Sequence, residues 1–523
     1  MCKLCDEGIP QNHSRSRRDF FKATAAAGVA AAGFNPFAAR PAAADGGDVP
    51  EDTGRRGRRY IIRGGSVMSM DPKVGDFPQA DVLVEGRKIL AVGPNLHAGG
   101  AAEIDARGRI VMPGFIDTHH HQFETALRSF LADGLLLPGT PGGEINYYQY
   151  ILLTFAPVYR PQDVYINELF GSLSQLDDGV TTVHDISQIH HSPAHSDAAI
   201  QGIMDSGRRA AFGYFESAGG VAGNQYPDDA RRIKKQWFSS EDQLVTMIMG
   251  GEIYLPGYEK AWQIGRQLGL QVAAHILSPF GMRPTFDALA QGQGGDSGKL
   301  GIGSDNLFVH MTGMSDMAWQ KVKDVGAQVS LAVPIEMNMR HGMPPLLKME
   351  SLKIEPSLSS DVEVTLLADF FYQMRSTMNL QRALVNQMIL DPGFATGNWW
   401  PPQPPSVPDP LTTRDVLRYA TVNGAKGLRL DRKTGSLTPG KEADIIILDA
   451  TAINVAPLNQ VPGAVVSLMD RTNVETVIVA GKVRKWNGRL LDVDLPYLRR
   501  QLEASRDHIF AAAGIQQDLF RSN

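Results

Sequence analysis

Three histidines in a row close the segment Ile116-Asp117-Thr118-His119-His120-His121, directly after the apolar run Ile110-Val111-Met112 and the breaker Pro113-Gly114. At the end of a strand, His119 and His121 are two residues apart and point to the same side. Their imidazoles can share one ion, which the neighbours His119 and His120 cannot easily do. Single imidazoles end two later apolar runs: His275 follows Leu270-Gln271-Val272-Ala273-Ala274, and His310 follows Asn306-Leu307-Phe308-Val309. Taken alone, each reads more simply as a core histidine. Asp361 closes Pro356-Ser357-Leu358-Ser359-Ser360 and offers a carboxylate oxygen. Three imidazoles and one carboxylate, without a thiolate, suit one divalent ion. Zn²⁺ fits first and Fe²⁺ second, whereas Mg²⁺ and Ca²⁺ fit poorly. An ion with an open position lowers the pKa of a bound water to about 7 and so makes a nucleophile near neutral pH. A carboxylate beside that water can take its proton and return it to a leaving nitrogen.

Such residues need rigid elements to hold them. The middle of the chain alternates β-branched apolar runs with amphipathic helical stretches, the βα repeat of a parallel sheet. Eight candidate strands end near Asp117, Asp185, Glu216, Met249, His275, His310, Val333 and Asp361. Most of these ends carry titratable groups, as the C-terminal mouth of a (β/α)8 TIM barrel does. A doubly wound sheet also alternates, but no glycine fingerprint follows the first strand. Both flanks are strand-like, as in Tyr60-Ile61-Ile62 and Asp444-Ile445-Ile446-Ile447-Leu448. The expected fold is therefore α/β: a barrel over residues 113–432 and a small β-sandwich built from both termini, 45–112 and 433–490. A helical tail, 491–523, completes the chain. His184, Asp185 and His195 follow strand two and face the same mouth, which makes them candidate substrate contacts. His190 and His191 read equally well as a solvated loop. The glycine-rich stretch Gln291–Ser304 lacks the preceding strand and the Lys-Ser/Thr of a phosphate cradle, and reads as a flexible loop. Trp399-Trp400 opens a proline-rich connector that could wall the mouth or pack on the surface.

The bulk numbers narrow the function classes. The chain has 523 residues, is 43% hydrophobic and 20% charged, and carries a formal charge of -5. That balance provides no field for a polyanion, so a nucleic-acid partner is not expected. A small-molecule substrate is expected instead, and assembly into a homo-oligomer is compatible with the sequence. The start of the chain looks like an export signal. Ser16-Arg17-Arg18-Asp19-Phe20-Phe21-Lys22 is similar to a twin-arginine motif, and an apolar Ala/Gly stretch from Ala23 to Gly33 follows. That stretch is too short to span a bilayer, so stable membrane insertion is not expected. Ala42-Ala43-Ala44 supplies small residues for cleavage. Residues 1–44 are thus expected to engage the twin-arginine translocation machinery, with the mature protein periplasmic or secreted. Both cysteines, Cys2 and Cys5, lie in this segment. The mature chain would hold no disulfide and no thiolate ligand.

Pro113-Gly114-Phe115-Ile116-Asp117-Thr118-His119-x-His121, the single histidines after strands five and six and the aspartate after strand eight together resemble the amidohydrolase superfamily. The likeness is closest to its cytosine deaminase and chlorohydrolase-like branch, which includes S-adenosylhomocysteine deaminases and triazine hydrolases. Gly435-Ser436-Leu437-Thr438-Pro439-Gly440-Lys441-Glu442-Ala443-Asp444 is similar to that branch's return into its β-sandwich, and Asp369 with Gln373-Met374-Arg375 to the helix after its eighth strand. The resemblance covers about residues 59 to 490. It implies metal ligands His119, His121, His275 and Asp361, with Asp361 also the proton shuttle and His310 orienting water or polarising substrate. The sequence departs from the pattern at one place. Deaminases of the branch carry a Glu three residues after the fifth-strand histidine, and here that residue is Ser278. Glu336, after strand seven, is the candidate substitute acid, with a structural charge pair as its plainer role. Strand four ends without the lysine of binuclear relatives. Glu216, which could bridge a second ion, is the weaker option.

The expected function is metal-dependent hydrolysis of a non-peptide carbon–nitrogen bond in a small, planar, cyclic molecule. The alternative within chemistry is a deaminase or dechlorinase of a nitrogen heterocycle using Glu336. The alternative outside it is an exported, non-catalytic metal- or ligand-binding protein. Replacing Arg17 and Arg18 with Lys should retain the precursor in the cytoplasm; fractionation showing undiminished export would remove the twin-arginine assignment.

Overall fold

Among residues 49–139, 144–221, 223–293 and 300–520, which the computed structural model describes, the strands divide between two sheets. Residues 1–48, with Cys2, Cys5 and the expected export signal, lie outside the described residues, as does part of the glycine-rich stretch. Five strands come first: β1 (Arg59–Met68), β2 (Asp76–Glu85), β3 (Lys88–Gly93), β4 (Ala102–Asp105) and β5 (Arg109–Pro113). Eight barrel strands follow: β6 (Phe115–His120), β7 (Val180–Ser187), β8 (Arg209–Tyr214), β9 (Val245–Gly250), β10 (Val272–Leu277), β11 (Asn306–Thr312), β12 (Gln328–Leu331) and β13 (Ser357–Leu358). They pair in chain order, all parallel. Every residue of β6, β7, β8, β10 and β11 is buried, as parallel strands covered on both faces must be. The first and last strands meet through a parallel bridge between His120 and Asp361. The amide of Asp361 donates to the carbonyl of His119, and the amide of His121 donates to the carbonyl of Asp361, both at 3.0 Å. The eight strands expected from the sequence are present, with Glu216 and Val333 two residues beyond the strands they were to end.

The last four strands are β14 (Ile445–Asp449), β15 (Val474–Val479), β16 (Lys482–Trp486) and β17 (Arg489–Leu490). β14 pairs antiparallel with β5, from Ile445 opposite Pro113 to Asp449 opposite Arg109. The two ends of the chain therefore share one continuous nine-stranded sheet rather than two separately paired layers. Residues from both arms of that sheet, among them Tyr60, Val82, Ile445 and Ile478, form one apolar core. Its barrel-facing side joins a second core with Phe115, Phe370 and Val416. Gly114 is needed where the chain passes from β5 to β6, because a Cβ there would lie 2.2 Å from the side chain of Thr181. The tail helix, Leu495–Ala513, packs Leu498 against Leu169 and Leu173 of the helix Pro161–Asp177. No helix among the described residues is long and apolar enough to cross a membrane.

One buried cation ties the barrel to the terminal sheet. Arg209, at the start of β8, is fully buried and bonds to Asp444 Oδ2 and Glu442 Oε2, both at 2.6 Å. Removing one partner of such a group strands the other charges away from water. Arg209→Ala should therefore lower unfolding free energy by about 3–5 kcal/mol in chemical denaturation. A loss below 1 kcal/mol would show that the pair does not hold the sheet.

Candidate active site

The C-terminal ends of β6, β10, β11 and β13 bring four imidazoles and one carboxylate together. His119 Nε2 lies 3.1 Å from His121 Nε2, 3.0 Å from His275 Nε2 and 3.4 Å from Asp361 Oδ1, which is 3.7 Å from His121 Nε2. A hydrogen bond can satisfy one such nitrogen pair but not three ring nitrogens gathered at one point, whose lone pairs repel. A cation relieves that repulsion. Tetrahedral zinc with Zn–N of about 2.0–2.1 Å has ligand-to-ligand edges of roughly 3.3 Å. The donor set thus fits a divalent ion of the zinc type in both chemistry and spacing. Burial, reinforced by the neighbouring rings, holds His119 and His121 well below the usual histidine range, which keeps their lone pairs free for an ion. Burial, with the nearby Asp117 charge adding to it, pushes Asp361 up to about 7, against the pull of His275.

His310 stands on the other side of Asp361, its Nε2 3.6 Å from Oδ2. Both residues have left-handed backbones, at φ 69° and 63°. Such conformations cost about 1–3 kcal/mol each and persist where surroundings enforce them. At Asp361 the two backbone bonds to His119 and His121 hold it. Beneath them, Asp117 accepts from the Ser360 hydroxyl, from Gln175 Nε2 at 2.7 Å and from the His119 amide at 3.1 Å. His120 turns away from the cluster and donates through Nδ1 to the Asp361 carbonyl at 2.9 Å.

Glu252, two residues beyond β9, was not singled out from the sequence. Its Oε1 is 2.6 Å from His275 Nδ1 and its Oε2 accepts from the His275 amide, so it directs Nε2 toward the cluster. Burial lowers the His275 pKa, but the Glu252 carboxylate more than offsets this and leaves it raised. Glu216 is one step further out, with Oε1 accepting from the Glu252 amide at 2.7 Å. Burial, then Glu252, pushes it up to about 8. It supports Glu252 and stands outside the ligand cluster, contrary to a bridging role.

A cavity of about 450 Å³ opens above the cluster, lined by His121, His275, His310 and Asp361 together with Tyr147, Gln188, Tyr254 and His341. Leu136, Leu152, Leu277, Met339 and Val362 form apolar walls, and Tyr254 stacks on Phe280 with ring centroids 4.8 Å apart. Among the described residues, no lysine or arginine lines it. Several sequence expectations are corrected here. His184 is tied to the Thr118 carbonyl at 2.9 Å, and Asp185 accepts from the Gln122 amide at 3.3 Å. His195 bridges Ser192 Oγ and the Tyr159 carbonyl. His195 has both ring nitrogens bonded, while His184 Nε2 and Asp185 Oδ2 keep no hydrogen-bond partner among the described residues, and all three residues lie outside the cavity lining. His190 and His191 are likewise bonded to carbonyls, those of Ser187 and Ala156. Glu336 is also outside the lining: its Oε1 meets His310 Nδ1 at 3.0 Å and accepts from the Ala332 amide at 2.9 Å. It positions His310 and can reach a substrate only through that ring. Ser278 is exposed and does not line the cavity. Tyr147, Gln188, Tyr254 and His341 were missed because they come from loops, where no periodicity marks an inward side chain.

Comparison with known proteins agrees with this geometry. Residues 110–484 match the profile of the amidohydrolase family. The chain is 26% identical to a 5'-deoxyadenosine deaminase of Methanosarcina acetivorans over 464 residues, covering 87% of this chain and 99% of the relative. Among solved structures, an adenosine deaminase from Xanthomonas campestris with bound zinc superimposes with a TM-score of 0.72 at 22% identity, covering 87% of this chain and 99% of that one. A triazine hydrolase variant gives a TM-score of 0.70 at 19% identity, over 86% and 99% of the two chains. These last two likenesses concern the fold. Because Glu252 orients a ring that faces the cluster, Glu252→Gln should weaken zinc affinity by about 10–100-fold in a competition titration while the fold persists. Unchanged affinity would mean that His275 takes no part in binding.

Proposed function

The chain belongs to the amidohydrolase family and is a metal-dependent hydrolase of carbon–nitrogen bonds, and we propose that it cleaves a non-peptide carbon–nitrogen bond in a small, neutral, planar ring compound. The observation that carries this reading is the convergence of His119, His121 and His275, with His310 and Asp361 gathered on the same His119, beneath a cavity that no described lysine or arginine lines. His119, His121, His275 and Asp361 would hold one divalent ion, zinc before iron, which when bound makes water acidic near neutral pH and polarises the scissile group. Asp361 Oδ2 has no hydrogen-bond partner in the protein and faces the cavity. It is placed to take the proton of the attacking water and pass it to the leaving nitrogen. His310, with Nδ1 held by Glu336, keeps Nε2 toward Asp361 and the substrate. The apolar walls exclude bulk water and strengthen each of these contacts.

A second reading, release of ammonia or chloride from a nitrogen heterocycle, is favoured by the deaminase name of the relative from Methanosarcina acetivorans. In it the His310–Glu336 pair moves the proton that a strand-five acid handles elsewhere, with Glu336 acting through the ring. The family assignment sets aside a purely binding role. We also propose export by the twin-arginine route, which passes folded proteins, so that the ion is loaded before translocation; the order of arginine pair, apolar stretch and alanines supports this.

The zinc-loaded enzyme should be screened against cyclic amides, cyclic ureas and aminated purines and triazines, with ammonia quantified separately from other products. Ring-opening products without ammonia support the first reading, and ammonia without ring opening the second. Asp361→Asn should keep part of its zinc yet lose about 10²–10⁴-fold in kcat. Full turnover by metal-free wild type, or by Asp361→Asn, would overturn the mechanism.

A further inference from the structure

Of the polar groups at the cavity that neither the sequence nor the metal cluster accounts for, His341 is a ring with both nitrogens unpartnered among the described residues. It follows the helix Val333–Asn338, is 4% exposed and lines the cavity with His310 and Asp361. Neither Nδ1 nor Nε2 has a hydrogen-bond partner among the described residues. Its ring meets that of His310 edge-on, with centroids 4.8 Å apart. Burial, then His275, holds its pKa down at about 3, so the ring is neutral and offers one donor and one acceptor. The loop is built to keep it there. Thr312 Oγ1 donates to the His341 carbonyl at 2.5 Å, and Gly342 follows with φ 116°, a backbone that favours glycine. A Cβ on Gly342 would lie 3.1 Å from Thr312 Cβ.

A buried polar atom without a partner costs about 1–3 kcal/mol, and here two sit on one ring in a fixed orientation. Nothing in the fold gains from them, and leucine or phenylalanine would fill the space without that penalty. The atoms that can satisfy the ring are those of a molecule in the cavity. We propose that His341 is a substrate-contacting residue, binding a neutral donor–acceptor edge such as an amide or an amidine-like ring nitrogen beside the scissile carbon. It thereby supplies the contact to the substrate ring that Ser278, turned to solvent, does not make. Across the cavity, Gln188 Oε1 also lacks a partner and suits an N–H on the same planar molecule. The two groups read hydrogen-bonding pattern, while the metal cluster and Asp361 carry out the hydrolysis. This inference rests on the hydrolase reading above.

The test compares His341→Leu and His341→Gln with wild type in the zinc-loaded enzyme. It reads zinc content, thermal midpoint, and kcat and KM on whichever compound of the screen is turned over. For His341→Leu we expect full zinc content, an unchanged or higher Tm, and at least a hundredfold loss of kcat/KM. His341→Gln, which keeps a donor and an acceptor, should recover about a tenth or more of wild-type kcat/KM. A fall in Tm of several degrees for His341→Leu would make the ring structural and overturn the proposal. Unchanged kcat and KM in both variants would do the same. If wild type turns over nothing in the screen, the hydrolase reading fails by itself; the Tm comparison still decides whether His341 serves the fold.

Discussion

The site depends on two backbone hydrogen bonds. The Asp361 amide donates to the His119 carbonyl, and its own carbonyl accepts from the His121 amide. These bonds join the first barrel strand to the residue after the last one. They fix the spacing between the two imidazoles of β6 and the carboxylate that completes their cluster. A parallel sheet of eight strands has no other way to remove its open edges. Barrel closure and assembly of the candidate metal cluster are therefore one event, and the left-handed backbone at Asp361 is the local cost of both.

Around that closure, two of the rings are held from behind by groups that do not line the cavity: Glu252 holds His275 and Glu336 holds His310, whereas Asp117 fixes the backbone of His119 by accepting from its amide and from Ser360. Burial pushes Glu336 well above the ordinary carboxylate range, and Glu216 behind Glu252 is pushed up as well. Groups placed in this way limit imidazole rotation, so that orientation is set before a substrate or ion arrives. The same logic explains why the loop histidines His190, His191 and His195 are inert. Their ring nitrogens are consumed by carbonyls and hydroxyls, which stabilises the turn after β7 but leaves nothing to offer a ligand.

What could be read from the sequence followed from periodicity and strand ends. Apolar runs ending in His121, His275, His310 and Asp361 announce residues at the mouth of a barrel, because a strand delivers its last side chain to a known place. That strand-like runs at both ends belong together was legible from their alternation, but the sequence pointed to a sandwich, whereas β5 and β14 pair within one continuous sheet. Side chains supplied by loops were not legible. Tyr147, Gln188 and His341 reach the cavity through loop paths that depend on packing elsewhere, and Glu252 lies just past a strand whose final apolar residue drew the eye. His184 and Asp185 failed in the opposite direction. They lie within β7 rather than at its end, one polar atom of each is taken by the Thr118 carbonyl or the Gln122 amide, and neither residue lines the cavity.

The cavity's composition restricts what can enter it. A carboxylate or phosphate on the substrate would need a cationic partner to offset its loss of hydration, and among the described residues no lysine or arginine lines the walls. The cluster could accept one anionic oxygen, but only at the reacting end, where Asp361 would oppose it. A neutral ring meets no such penalty. It can stack near Tyr254, whose ring is already packed flat on Phe280, and present its polar edge to groups that the protein leaves unbonded. Selectivity of this kind works by rejection as much as by attraction: a ligand lacking the matching edge would leave His341 and Gln188 buried without partners, whereas a matching one satisfies both. The polar atoms left open in the cavity are thus the features by which it can distinguish one planar molecule from another.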